Sequence, residues 1–369
     1  MDSFNLITIN KKEKKPFFQN KKIIMMQFNN ILLIIIFIFI ILIIYRFNLK
    51  RNFDKNSLKK EKYNKIFEKK NDDNIIENYV KQQNKFCDSF TNYNNSKYEE
   101  LIKLSNFSFK GLSYQIYIYI KNDNHISNRI IKTGKFEPNA MSNFLKALKY
   151  YGKIKNILNN KDIYVLDIGG NIGAHTSFLG KFGYSILTFE ASPRNYYILN
   201  KNYCLINRNS NIVLINKGVS NEERTCNYYS QMDGIGNGIL LCNEKKKMIK
   251  AIGYYFKKTF EVNLIKLNSF IPFFSNKNLA LIKLDIEGGE GKAIEAGIEF
   301  INKIHVPFIF SEFCPELLEK HGTNPKKYIQ FFIDNGYKIS RKGFFSKSFI
   351  TNYDEIKNGT DLFFIYNQI

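Results

Sequence analysis

Val165-Leu-Asp-Ile-Gly-Gly-Asn-Ile-Gly-Ala-His-Thr176 is the stretch whose reading decides the fold of this chain. A short apolar run ends in an acid, a glycine-rich turn follows, and small, helix-compatible residues take over, which is the order of strand, tight loop and helix N-terminus. α/β folds bind nucleotide-like cofactors at such a junction. Glycine gives the turn its positive backbone torsion and leaves backbone N–H groups open to a ligand.

Short apolar runs alternate with helical segments on both sides of this turn. The predicted strands are Ile163–Asp167, Ser185–Glu190, Asn211–Asn216, Leu279–Asp285 and Pro307–Glu312, with helices near Ala174–Phe182, Pro193–Ile206, Gly288–Gly297 and Pro325–Asp334. Tyr337–Ser340 and Leu362–Tyr366 read as a closing pair of strands, and upstream Ser113–Ile120 alternates as a strand while Ala140–Tyr151 has helical spacing. Repeated β-α units predict an α/β fold, a mostly parallel sheet covered on both faces by helices.

The chain has 369 residues, 44% of them hydrophobic and 15% aromatic, enough for a large packed core. Its formal charge of +22 raises a polyanion partner. Lysine is in excess together with Asn, Ile, Phe and Tyr along the whole chain, however, so the basic residues are spread rather than gathered, and no nucleic acid is expected. Cys87, Cys204, Cys226, Cys242 and Cys314 have no zinc-ligand spacing, and no metal is expected. Cys226 and Cys242 flank a probable turn and would bridge in an oxidising lumen; separate buried thiols are the preferred reading.

Residues 1–22 form a basic flank, and Ile31–Ile44 is an uninterrupted apolar run that Ile23–Phe28 lengthens. The extended segment, 23–45, reaches the roughly 20 residues that span a bilayer and has no polar face. A cleaved signal peptide would need small residues at its cleavage site, and Tyr45-Arg46-Phe47-Asn48-Leu49 supplies none, so an uncleaved signal anchor, one N-terminal transmembrane helix, is expected. Lys and Arg are nearly balanced on its two sides, which leaves orientation open. Residues 46–106 read as a stem rich in Lys, Asn and Glu, and 107–369 as the folded domain. Glycosylation sequons at Asn94, Asn106 and Asn358 are near chance in so Asn-rich a chain.

Asp167, Gly169, Asn171 and Gly173 make up the turn, spaced Gly169-Gly170-x-x-Gly173 rather than in the G-x-G-x-x-G of a pyrophosphate site. A carboxylate repels a pyrophosphate and attracts an ammonium. S-adenosyl-L-methionine carries that ammonium and no phosphate, so Asp167 is assigned to it. Glu190, about twenty residues on, suits the hydroxyls of a ribose, and Asn216 the adenine. Ile282-Lys-Leu-Asp-Ile-Glu-Gly-Gly-Glu290 places Asp285 at the carboxyl end of the neighbouring strand, with Glu287 and Glu290 behind it; Glu312 ends the next strand at the same crevice, and Glu290 and Glu312 are candidate substrate contacts. Glu290 reads equally as an acid favouring a helix dipole.

These residues resemble the FkbM-type methyltransferases, in VLDIGGNIGAHT at 165–176, FEASP at 189–193, KLDIEGGEGKAIEAG at 283–297, Gly134-Lys-Phe-Glu-Pro138 and the strand ending in Glu312. The resemblance covers roughly residues 110–366. It implies a Rossmann-like seven-stranded sheet, S-adenosylmethionine as cofactor, and O-methylation of a sugar or another hydroxyl-bearing metabolite. Asp167, Gly169, Asn171 and Gly173 match the cofactor loop, Glu190 the ribose acid, and Asp285 and Glu287 the acids near the transferred methyl. Two departures stand out: Leu267-Asn-Ser-Phe-Ile271 lacks an aspartate common at that place, and His175 replaces a residue that is frequently aromatic.

The expected enzyme is a membrane-anchored O-methyltransferase, facing the endoplasmic reticulum or Golgi lumen, whose Asp285 or Glu287 orients a carbohydrate hydroxyl and accepts its proton. His175, His305 and His321 are alternative bases. The competing readings are a membrane-tethered binding module without turnover, which would transfer no methyl, and an NAD-dependent enzyme, which the glycine spacing disfavours.

Overall fold

The computed structural model describes residues 76–89, 96–206, 211–356 and 358–368. Its main sheet has seven strands, in chain order β3 (Ile163–Ile168), β4 (Ser185–Phe189), β5 (Ile212–Ile215), β11 (Asn278–Leu284), β12 (Phe308–Phe313), β13 (Tyr337–Ser340) and β14 (Thr360–Tyr366). In space they run β13-β14-β12-β11-β3-β4-β5. All neighbours from β12 to β5 are parallel, and β14 alone runs against both its neighbours. Strand order reverses between β3 and β11, the switch point at which doubly wound sheets bind ligands.

Alternate side chains of these strands serve two cores. Ile163, Val165 and Ile186 pack with α3 (Pro138–Ile154), α4 (Ala174–Lys181) and α5 (Pro193–Ile206). Leu166, Ile168, Leu187 and Phe189 pack on the opposite face with α7 (Glu290–Ile304) and α9 (Pro325–Asp334). The period of two in β3 therefore gives each helical layer its share, as a sheet buried on both faces requires.

Three features lie outside the predicted scheme. Residues 76–88, within the expected stem, are helical and form α1. Gln83 of α1 uses its side-chain amide as a substitute strand, donating to the Ile212 carbonyl and accepting from Leu214 N–H, both at 3.0 Å, which closes the open edge of β5. A Cys87–Cys204 disulfide ties α1 to α5, so few apolar anchors suffice to hold it. The strand expected at Ser113–Ile120 is present as β2 (Leu112–Tyr119), but it pairs in a hairpin over α5 with an unforeseen β1 (Ile102–Phe109) that begins within the expected stem.

The third feature is a five-stranded sheet inserted between β5 and β11: β6 (Gly218–Val219), β7 (Thr225–Gln231), β8 (Gly238–Leu241), β9 (Met248–Ala251) and β10 (Tyr254–Ile265). Cys226 and Cys242 are joined across β7 and β8. The expectation of separate buried thiols is thus corrected: antiparallel pairing of β7 and β8 brings the two cysteines within 4.3 Å between Cα atoms, and only Cys314 among the five is free. No described helix is long and apolar enough to cross a membrane; the expected anchor at 23–45 lies outside the described residues.

Candidate active site

A cavity of about 680 Å³ opens at the carboxyl edge of β3, β4, β11 and β12 and runs under the inserted sheet. Its size suits a small-molecule site. Gly169 stands at its base with a backbone φ of +89°, and a Cβ there would lie 1.8 Å from the Asp285 carbonyl oxygen. Glycine is required here by the neighbouring strand's turn. The N–H groups of Gly169 and Gly170 both donate to the Phe189 carbonyl at 2.9 Å, that of Gly173 to the Gly170 carbonyl at 2.8 Å, and that of Asn171 to Glu190 Oε2 at 2.8 Å. Four of the turn's amides, those of Gly169, Gly170, Asn171 and Gly173, are consumed within the protein. This corrects the expectation that they lie open to a ligand, and it removes the donors that a pyrophosphate would need.

Asp167 and Gly173 do not line the cavity. Asp167 is buried beneath the turn, where Oδ2 accepts from Thr176 Oγ1 at 2.6 Å and Oδ1 lies 3.4 Å from Lys283 Nζ. Gly173, at φ +87°, packs against Leu199. The assignment of Asp167 to a cofactor ammonium is therefore corrected. Lys283 is its direct neighbour across the β11–β3 register and already partners its charge.

Lys283 joins the two halves of the site. Its Nζ donates to the Gly169 carbonyl at 2.6 Å and lies 3.3 Å from Asp285 Oδ2. Burial disfavours its charge, but Asp285, Asp167 and Glu137 outweigh burial and hold its pKa above the ordinary lysine value. The sequence carried a signal for it, a lone lysine in the apolar strand Leu281-Ile-Lys-Leu284, which must be paired if buried.

Glu190 ends β4 in the cavity wall, its Oε1 accepting from Ser192 N–H and its Oε2 from Asn171 N–H, both at 2.8 Å. Burial pushes its carboxyl up to about 7 against the pull of these bonds. Oε1 also accepts from Asn195 Nδ2 at 3.5 Å, so Oε2 keeps the further lone pair that can take up a hydroxyl while the group's orientation is fixed. Asn171 Oδ1 is a buried acceptor without a hydrogen bond, and its Nδ2 donates to the Gly236 carbonyl of the insertion at 3.1 Å. Asn195, not foreseen, donates to the same carbonyl at 2.9 Å. Asn216 does not line the cavity: its amide donates to the carbonyls of Glu190 and Ala191 at 2.8 and 3.2 Å and braces the strand end. The wall beside it comes from Gly218 and Val219, with Leu240 and Leu264 of the insertion.

Opposite stand Asp285, Glu287 and Glu312. Glu287 adopts a left-handed backbone, φ +55°, rare for a side chain of this kind. Burial, then Asp285 and Glu290, pushes its carboxyl up to about 8. Burial and the charges of Glu287, Asp285 and Glu290 raise Glu312 well above the carboxylate range, and its Oε2 has no hydrogen bond. Glu290 is buried outside the cavity lining; its Oε1 accepts from Ile286 N–H at 2.8 Å and closes the turn, with burial raising it to about 7. Its place as a substrate contact is corrected to a support of the Asp285–Gly289 turn.

Of the histidines, His125, His175 and His321 line the cavity. His305 caps the far end of α7 and stacks on Tyr366, about 22 Å along that helix from Glu290, and is excluded as a base. Burial, with Lys292 and Lys320, lowers His321 to about 4. His175 Nε2 lies 3.2 Å from Glu137 Oε2, yet neither atom makes a directed hydrogen bond. Glu137 lines the cavity at the N-terminus of α3 with φ +37°.

The strand order and the edge cavity define a Rossmann-like methyltransferase fold. The Methyltransferase FkbM domain model matches residues 167–339, a match that supports S-adenosylmethionine-dependent methyl transfer. No curated protein matches the chain. Among solved structures it is similar to magnesium protoporphyrin IX methyltransferase from Synechocystis PCC 6803 with bound S-adenosylmethionine, at 10% identity over 66% of this chain and 85% of that one, TM-score 0.33. Precorrin-6y C5,15-methyltransferase from Geobacter metallireducens GS-15 shares 10% identity over 60% and 87%, TM-score 0.30. The M. jannaschii tRNA m1G37 methyltransferase shares 12% over 72% and 57%, TM-score 0.32. These scores are too low to bear on substrate.

Proposed function

We propose that the protein is a membrane-anchored O-methyltransferase that acts on a hydroxyl of a sugar, glycan or glycolipid, with its catalytic domain in the lumen of the endoplasmic reticulum or Golgi. The observation that supports the cofactor side is the internally bonded glycine turn beside Glu190: a carboxylate suited to ribose hydroxyls ends the strand, while four of the turn amides that a pyrophosphate would use are taken up. The orphaned acceptor Asn171 Oδ1 and the free lone pair of Glu190 Oε2 fit a hydroxyl-rich, phosphate-free nucleoside. Gly218, Val219, Leu240 and Leu264 supply the apolar wall that a planar base needs.

S-adenosylmethionine supplies an electrophilic methyl group. The residues opposite position its acceptor. Asp285 and Glu287 are acceptor-only when ionised, so they draw hydroxyl protons toward themselves and leave the oxygen's other lone pair to form the new bond to carbon. Glu287, raised to about 8, is tuned near the working pH for a general base and takes the hydroxyl proton as that bond forms. Lys283 holds Asp285 in place and limits like-charge repulsion.

A wall of carboxyl groups suits a polyol, every face of which donates hydrogen bonds; this supports a carbohydrate. The apolar run at 31–44 supports the anchor, and the Cys87–Cys204 and Cys226–Cys242 bridges support an oxidising compartment. Radiolabelled methyl transfer by the full chain into fractionated glycans, lipids and proteins tests the acceptor. Label confined to protein or to non-carbohydrate lipid would overturn it. Protease protection in sealed microsomes tests orientation, and digestion of the domain without detergent would place it on the cytoplasmic side.

A further inference from the structure

We infer that Glu137 receives the ammonium of the cofactor's methionine end, the role that the sequence had given to Asp167. The inference rests on the S-adenosylmethionine reading above. Asp167 is out of reach beneath the turn, with Thr176 and Lys283 on its two oxygens. An ammonium entering the cavity needs another carboxylate on the wall, and the candidates differ in charge and in partners.

Glu190 is at the far, ribose end and is bound to two backbone N–H groups. Asp285 shares its charge with Lys283 at 3.3 Å. Glu287 is raised by burial, Asp285 and Glu290, and Glu312 by burial and Glu287, which disfavours the charge that would attract a cation. Glu137 is different. Burial opposes its charge, but His175, Lys283 and Arg129 hold its carboxyl below the ordinary value, so it is ionised. Its Oε2 is buried, and its one close partner is His175 Nε2, a 3.2 Å contact that helps hold the carboxyl down but falls outside hydrogen-bond geometry. An ionised carboxylate oxygen left unbonded at a cavity wall lacks a donor, and an ammonium provides one.

The backbone supports the same reading. Glu137 is the N-cap of α3 in a left-handed conformation, φ +37°, without a side-chain capping bond. Without a capping bond the side chain offers the helix only the dipole's attraction, and the backbone strain is of the kind stored at binding sites. Pro138 follows and starts the helix, which fixes where the Glu137 side chain leaves the backbone. The charge of Glu137 also acts on Lys283, whose Nζ holds the Gly169 carbonyl, so Glu137 lies at the turn end of the cavity. A methionine tail extending past the turn from a ribose at Glu190 reaches that end.

The test is calorimetric titration of the full chain in detergent with S-adenosylhomocysteine and with its des-amino analogue, in which hydrogen replaces the ammonium. Wild type should bind the first at least about tenfold more tightly. Glu137→Gln should remove that preference, weakening S-adenosylhomocysteine about tenfold or more while leaving the analogue within about twofold. Glu137→Asn, which tolerates a left-handed backbone and withdraws the charge, should do the same and guards against a folding artefact. Equal losses for both ligands, or none for either, would overturn the inference and leave the cofactor reading intact. Failure of wild type to bind either ligand would overturn both.

Discussion

The two walls of the cavity use the same functional group in opposite ways. On the cofactor wall, Glu190 has a backbone N–H on each oxygen and is fixed in one orientation. On the acceptor wall, Glu287 and Glu312 crowd together with Asp285, and Glu312 Oε2 lacks any hydrogen bond. A carboxylate tied to backbone donors is a rigid binding surface. Carboxyls pressed against one another hold protons near neutrality and can exchange them, which is what a base for a hydroxyl must do. On the proposed function, binding and proton transfer fall on opposite sides of the β3–β11 junction, with Lys283 between them.

The largest expected effect comes from joining the walls by force. Gly169→Ala places a Cβ 1.8 Å from the Asp285 carbonyl at a φ that L-residues avoid, so it should lower unfolding free energy by about 4 kcal/mol or prevent folding, read by denaturant titration. Next, Asp285→Asn and Glu287→Gln should lower kcat by roughly 10²- to 10⁴-fold while cofactor affinity stays unchanged. If either also abolished cofactor binding, the division of labour would fail. Cys226→Ser with Cys242→Ser opens the insertion's bridge, whose sequence separation is 16, and should lower stability by about 3 kcal/mol in thermal melts.

Glu190→Ala is the mirror image of the acceptor-wall variants. It should weaken cofactor binding by roughly ten- to a hundredfold and leave kcat at saturating cofactor within a few-fold. The smallest and most diagnostic effect is on pH dependence. With Glu287 as base, activity should rise as pH increases through about 8, because only the ionised form accepts a proton, and Glu287→Gln should remove that limb. Stability should run the other way. Glu190, Glu287 and Glu290 have pKa values of about 7 to 8 in the fold against 4.5 as the ordinary value, so the folded state binds more protons between those limits. The ligand-free protein should therefore be most stable toward the acidic side of that window and lose stability as pH rises to about 8, measured by melting temperature.

The parallel core was legible because its signals are local. Pro193–Ile206, Pro325–Asp334 and Tyr337–Ser340 occur within the predicted bounds, since each is a short periodic run ended by turn chemistry. The insertion was missed, although Phe256, Phe260, Val262 and Leu264 carry an uneven alternation in β10 that marks a strand. A bulge between Lys258 and Phe260 breaks the period of two there. The stem helix was missed because its stability comes from a bond to Cys204 and from the edge of β5, both more than a hundred residues away.

The sequence by itself determined the doubly wound fold, the family, and the carboxyl-edge position of Glu190, Asp285, Glu287 and Glu312, because strand ends and turn glycines are written in neighbouring residues. Tertiary structure alone decided which carboxyls face the cavity. Asp167 and Glu290 sit one turn from their neighbours in sequence but behind the wall in space, while Glu137, from a different element, stands on it. The direction of a side chain depends on the register between β3 and β11 and on the packing of α3 over both, and charge follows from the partners that packing provides. That is why the acid beside the glycine turn, which looked like a ligand for the cofactor, turned out to be the counterion of a buried lysine.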